Sequence, residues 1–193
     1  IPAPRATEPA APLTLKAALE LALGANPDLS AAGRELDALG ATISQAQVRP
    51  NPEISALMED TRQATRNTTL QLNQPIELGG KRGARIEAAK RSRDAASAEL
   101  DAKRAEIRAA VMAAFFDVLV AQERLRLAQA SVELAQRATG AASRRVMAGK
   151  VSPVEETKAR VAEASVRVEL TLAGSELSTA RKRLASTWGN PAP

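Results

Sequence analysis

The sequence contains no cysteine, no histidine and no tyrosine, and its aromatic residues are one tryptophan and two phenylalanines. Without cysteine and histidine there are no disulfides, no thiolate nucleophile, no imidazole acid–base chemistry and none of the usual zinc ligand sets. No Gly-rich phosphate loop follows a strand-like segment, and no acid pair is clustered in a pocket-like context. No enzyme, cofactor or metal site is therefore expected. Rings amount to 2% of a chain of 193 residues, although globular cores of this size use them freely because each buries a large apolar area. Long apolar runs are also missing: nothing approaches the roughly 20 residues of a membrane-spanning helix.

The chain carries 27 basic and 22 acidic residues, a net charge of +5, and has a pI near 10.1. The two signs are interleaved, with no basic block and no aromatics between the cations, so no nucleic-acid partner is expected. Most of the 45% apolar content is alanine and aliphatic residues set among Glu, Lys and Arg. That composition predicts long helices laid side by side rather than wrapped around a thick core.

The opening "IPAPRATEPAAP" has no apolar signal core, and Pro2, Pro4, Pro9 and Pro12 forbid a helix there. Residues 1–12 read as a flexible leader, and 13–193 as a single repeat unit. Thr14 is a candidate N-cap for a short helix over about 14–24, with a stripe of Leu15, Ala18, Leu19, Ala22 and Leu23 and a stop at Gly24. In "NPDLS", Asn26 caps, Pro27 takes the first helical position and Asp28 meets the positive end of the dipole. That second helix runs over about 27–48. Leu29, Leu36 and Ile43 recur every seven residues beside Ala32, Leu39 and Ala46, a seam of one large and one Ala-rich row.

Pro50 and Pro52 end the helix. Two alternating segments follow, Ile54, Ala56 and Met58 in the first and Thr68, Leu70, Leu72, Gln74 and Ile76 in the second. They predict a β-hairpin over about 53–77 with a loose loop, "DTRQATRN", and Pro75 near a strand end. Such a hairpin needs a cover for its apolar face. Local pattern alone favours a neighbouring helix; strands of about ten residues also match the length that crosses an outer membrane.

From Lys81 to Met147 there is no proline, and between Gly83 and Gly140 no glycine, which predicts one helix roughly 100 Å long. Leu100, Ile107, Ala114, Ala121, Ala128 and Ala135 form one seven-residue row, with Val111, Val118, Leu125 and Val132 beside it. The chain reverses at "AGKVSP". There Gly149 suits a left-handed cap, Ser152 an N-cap and Pro153 a first turn, with Glu155 and Glu156 behind them. The last helix covers about 153–187. Val154, Val161 and Val168 are spaced by seven, and then Leu170, Leu177 and Leu184, and the two-residue jump between the series points to a change of seam or of winding.

Four phrases, in this order and spacing, resemble the outer membrane factor family of TolC-like efflux proteins, in its heavy-metal, cobalt–zinc–cadmium branch. They are "PLTLKAALELALGANPDLSAA", "RPNPEIS", "NQPIELGGKRGARIEAA" and "RVMAGKVSPVEETKARV". The resemblance implies a mainly α fold: a long antiparallel coiled-coil hairpin, a second helix and a two-strand β-hairpin, as the N-terminal one of two repeats. It implies a passive export duct for heavy-metal cations, trimeric in the full-length family, in the outer membrane and periplasm of a Gram-negative bacterium, working with a periplasmic adaptor and an inner-membrane pump. With one repeat per chain, six copies would replace three.

By the same resemblance, Arg145, Gly149, Lys150, Val151 and Ser152 form the adaptor-docking tip. Gly79 and Gly80 form a strand-to-helix swivel, with Lys81, Arg82 and Arg85 at the membrane-proximal rim or simply solvated. Ile54, Leu70, Leu72 and Ile76 are membrane-facing, and Glu155 and Glu156 are the nearest candidates for acids that narrow a tunnel entrance. The strands lack the aromatic girdle of membrane barrels. The alternative is a periplasmic coiled-coil adaptor or scaffold without a channel, which would flank its helices with β halves on both sides.

Overall fold

The computed structural model describes residues 12–59, 62 and 67–190. The leader 1–12 and the loop of the β-hairpin lie almost wholly outside the described residues. The elements, in order, are helices α1 (Leu15–Ala25) and α2 (Pro27–Gln47), strands β1 (Glu53–Glu59) and β2 (Asn67–Asn73), and helices α3 (Lys81–Met147) and α4 (Pro153–Ser186). The chain divides into two compact units, Ile1–Ser30 with Ala102–Pro193, and Ala31–Asp101.

In the first unit, α1 begins at Thr14, whose hydroxyl accepts from the Ala17 amide at 3.2 Å. Helix α1 does not stop at Gly24. It continues to Ala25, and Asn26 leaves it in extended conformation. The physical cause is Pro27, whose ring disfavours helical geometry in the preceding residue; glycine alone imposes no stop. The Asn26 carboxamide oxygen then accepts from the Asp28 and Leu29 amides at 2.9 and 3.1 Å, starting α2.

The remainder of this unit is the antiparallel pair of α3 and α4. Thr139 donates to the Ala159 carbonyl at 3.3 Å, Arg124 pairs with Glu176 at 3.3 Å and Arg183 with Asp117 at 3.7 Å. Each contact steps back along one helix as it advances along the other. The α3 seam is the one the heptads mark: Ile107, Val111, Ala114, Val118, Ala121 and Val132 are buried. On α4 the buried row is Ala173, Leu177, Leu184 and Ala185. The other seven-residue series, Val154, Val161 and Val168, is exposed, so the seam does change between the two series. Half-covered Ala159, Glu163, Val166 and Leu170 take the inner face of that stretch. A seven-residue spacing marks a face without saying which face is covered, and a helix carrying apolar residues on two faces satisfies the pattern twice.

The second unit holds the rest of α2, the hairpin and the start of α3. On α2, Ala46 is buried, and Ala32, Leu36, Leu39 and Ile43 are partly covered. The strands pair antiparallel with Ile54 opposite Leu72, Ala56 opposite Leu70 and Met58 opposite Thr68. Directly opposed residues share a face, so these six line one side of the ribbon. Every residue of both strands is exposed. The cover expected from a neighbouring helix is therefore absent among the described residues. Strand β2 ends at Asn73, short of the expected boundary near residue 77, and Ile76 is not a strand residue. Pro75 has no amide to donate to a ladder.

Candidate functional site

Two places concentrate the expected functional residues. The first is the turn between α3 and α4. Arg144 and Arg145 stand in the last turn of α3, where positive charge complements the dipole. Gly149 has φ +66°, its amide donates to the Val146 carbonyl at 2.9 Å, and the Lys150 amide donates to the Arg145 carbonyl at 2.9 Å. These two bonds make the paired cap that closes a helix on a left-handed residue. An added Cβ at Gly149 would meet no neighbour within 4 Å, so the glycine is required by its backbone angle, not by crowding. The hydrophobic pair that often accompanies this cap is replaced by Arg145 and Lys150. The structure thus brings Arg145, Gly149, Lys150, Val151 and Ser152 into one turn; Val151 is half-covered and the others are exposed. Met147 is also highly exposed here. Nothing in its periodicity singles it out, because it falls at the end of the α3 pattern.

The Ser152 hydroxyl accepts from the Val154 amide and caps α4. Glu155 and Glu156 lie in the first turn. Glu155 pairs with Lys158 at 2.9 Å and Glu156 with Arg160 at 2.6 Å. The hydrogen bond from Arg160 holds Glu156 below the ordinary carboxylate range; desolvation opposes it, and the Arg160 charge and a hydrogen bond with Ser143 on α3 add to it.

The second place is the strand-to-helix junction. Gly79 and Gly80 both have positive φ, +71° and +73°, a pair of left-handed residues that glycine adopts without steric cost. Beyond them, Arg82 donates from Nε and Nη2 to the Gln47 carbonyl at 3.0 and 2.7 Å. Arg85 donates to the Ala46 carbonyl at 3.2 Å and to the Val48 carbonyl at 3.4 Å. It also makes a two-pronged contact with the Glu77 carboxylate, one arm at 3.0 Å. That contact is the main reason Glu77, past the end of β2, sits below the ordinary carboxylate range. Arg82 and Arg85 are therefore not plain solvated rim charges. They satisfy carbonyls at the end of α2 that have no partner within their own helix. The sequence signal was available in outline, since a basic pair closely follows a glycine turn, but its partners lie 35 or more positions upstream.

Ile54, Leu70 and Leu72 lie on the apolar face of the ribbon, and all three are more than two-thirds exposed. Ile76 is exposed outside it. Among the described residues no group of His, Cys, Asp and Glu side chains could hold a metal ion, and no helix is long and apolar enough to cross a membrane. A groove of about 890 Å³ in the first unit is lined by Phe115, Leu177 and Trp188 among others, with Arg181 and Lys182. It contains no acid–base pair.

The family model described as outer membrane efflux protein matches residues 18–190. The cobalt-zinc-cadmium resistance protein CzcC of Cupriavidus metallidurans is 56% identical over 186 residues, covering 96% of this chain and 44% of CzcC. The chain thus spans less than half the length of the relatives it matches. Among solved structures, CusC superposes with a TM-score of 0.79 at 18% identity, covering 99% of this chain and 51% of CusC. The CmeC outer membrane channel of Campylobacter jejuni superposes with a TM-score of 0.77 at 20% identity, covering 91% and 41%. At these identities the structures speak for the fold, which is that of TolC-like channels, as the sequence resemblance implied.

Proposed function

Because the chain belongs to the outer membrane efflux protein family, we propose that it supplies part of the wall of an outer-membrane export duct for heavy-metal cations. In this reading β1 and β2 belong to a closed barrel in the outer membrane, with Ile54, Leu70 and Leu72 towards lipid. Ile76, beyond the strand end, lies at the edge of the apolar zone. The helices line a periplasmic passage. Gly79 and Gly80 redirect the chain from strand to helix, and the turn at Arg145, Gly149, Lys150, Val151 and Ser152 docks a periplasmic adaptor, with Met147 adding apolar contact. The complete duct is a homo-oligomer, trimeric where each chain carries two repeats. Transport through it is passive, and an inner-membrane pump supplies energy and metal selectivity.

The single observation that supports this most is the ribbon itself. Its fourteen residues are exposed on both faces, and one face carries Ile54, Ala56, Met58, Leu70 and Leu72. A two-stranded sheet with an uncovered apolar face is marginal in water. Closure into a barrel satisfies its edges, and lipid covers its apolar face. The adaptor reading would call for further β halves; the sheet among the described residues has two strands.

The test is complementation. The full-length protein, expressed with a cobalt–zinc–cadmium pump and adaptor in a Gram-negative host lacking its own duct, is expected to restore cadmium tolerance. Leu70→Asp should abolish tolerance by removing the protein from the outer membrane fraction. Tolerance no better than that of the empty host, with the protein present in the outer membrane, would overturn the proposal.

A further inference from the structure

The two crossings between helix and strand are tied to each other by side chains. The chain leaves α2 at Ala46, Gln47 and Val48, and the carbonyls of all three accept from Arg82 or Arg85 in the first turns of α3. Arg85 at the same time grips Glu77 on the incoming segment. Gln74, one residue past β2, donates to the Pro50 carbonyl at 3.2 Å on the outgoing segment. Outgoing and incoming segments are thus bridged at three side chains, and Arg85 touches both at once.

Arginine is suited to this position. Its planar fork offers several donors in fixed geometry, so one guanidinium can serve two carbonyls and a carboxylate, which a lysine ammonium on a flexible stem does less well. The two consecutive positive-φ glycines would, on their own, allow the incoming segment a wide range of directions.

We propose that Arg82, Arg85 and Glu77 form a clamp that makes the two crossings one mechanical unit. The turn at Gly79 and Gly80 is held in a single setting, and the ribbon's exit and return hold or loosen together. This inference does not rest on the export reading, because it concerns coupling between two segments of one chain.

The test mutates one crossing and reads the other. Glu77 contacts Arg85, while α2 is held through Arg85. In Glu77→Gln, amide hydrogen exchange over the last turn of α2, residues 44–48, should accelerate by about threefold, in keeping with the modest strength of an exposed ion pair. Arg82→Gln should accelerate exchange both there and at residues 79–80. Lys81→Gln, which removes the same charge beside the clamp, should leave both segments at wild-type rates. Circular dichroism confirms that each variant keeps its helices, and the single substitutions avoid stripping the whole clamp at once. Wild-type exchange over 44–48 in Glu77→Gln would overturn the proposal, as would equal acceleration in Lys81→Gln.

Discussion

The side-chain amide of Asn26 donates to the Thr187 carbonyl at 2.8 Å, joining residues 161 positions apart. The same side chain caps α2 through its oxygen, and its backbone amide closes α1 on the Ala22 carbonyl. One asparagine therefore ends one helix, starts the next and fastens both to the tail of α4. That tail is shaped to meet it. Gly189 has φ +79°, and a Cβ placed there would lie 3.5 Å from the Pro27 ring.

Asn26→Ala should cost about 1 kcal/mol for the lost cap and about 1 kcal/mol more for the tie to Thr187. Asn26→Asp keeps the capping oxygen and loses the amide donor, so it should fall between wild type and Asn26→Ala. Urea denaturation of the three proteins measures this. Equal midpoints for Asn26→Asp and Asn26→Ala would mean that the cap contributes nothing.

Gly149 should tolerate substitution according to backbone preference alone. Its φ of +66° and the open space around it predict a cost of about 1 kcal/mol for Gly149→Ala, with Gly149→Asn milder and Gly149→Val worse. Thermal unfolding of the three variants should rank them in that order. If Gly149→Asn proved as costly as Gly149→Val, crowding rather than backbone angle would be the cause. If the turn docks an adaptor as proposed, Gly149→Asp should also impair capture of that adaptor while helicity is retained, which a pull-down with purified adaptor would read.

The turn between α3 and α4 should weaken in acid. Arg160 depresses the pKa of Glu156 in the folded chain. A carboxylate depressed by folding adds stability that is present above its unfolded pKa, near the ordinary value of 4.5, and that is lost as pH falls through the lower folded value. Glu156→Gln should therefore destabilise the first turn of α4 at pH 7 and make no difference once the pH lies below the lowered folded pKa of Glu156, judged by hydrogen exchange at residues 153–157. An equal effect of the substitution at both pH values would show that the ion pair contributes nothing.

Much of this architecture could be read from the sequence because its signals are local. The Ser152–Pro153 start of α4, the Asn26–Pro27 start of α2 and the glycine at 149 each act through bonds to residues a few positions away. The α3 seam was legible because Ile107, Ala114 and Ala121 repeat over enough turns to fix one face. What could not be read depends on distant partners. Arg82 and Arg85 read equally as rim charges or as solvated ones, because the α2 carbonyls they bind lie 35 or more positions upstream. The end of β2 at Asn73 depended on how far the ladder persists before Pro75. The uncovered state of the ribbon is a property of what stands next to it, which no strand pattern encodes.

The two apolar rows of α4 give the sharpest remaining test. Leu177 is buried against α3, whereas Val161 is 63% exposed, although both sit in seven-residue series. Leu177→Ala should cost about 3 kcal/mol in the isolated chain through lost burial and a residual cavity. Val161→Ala should change stability by less than about 0.5 kcal/mol there, as surface substitutions usually do. In the proposed oligomeric duct the ranking should narrow. A second apolar row on a helix whose first row is already buried needs another surface to cover it, so Val161→Asp should reduce the yield of oligomer on size exclusion while the monomer's melting curve stays unchanged. A destabilised monomer in Val161→Asp would mean that this row is already packed within one chain.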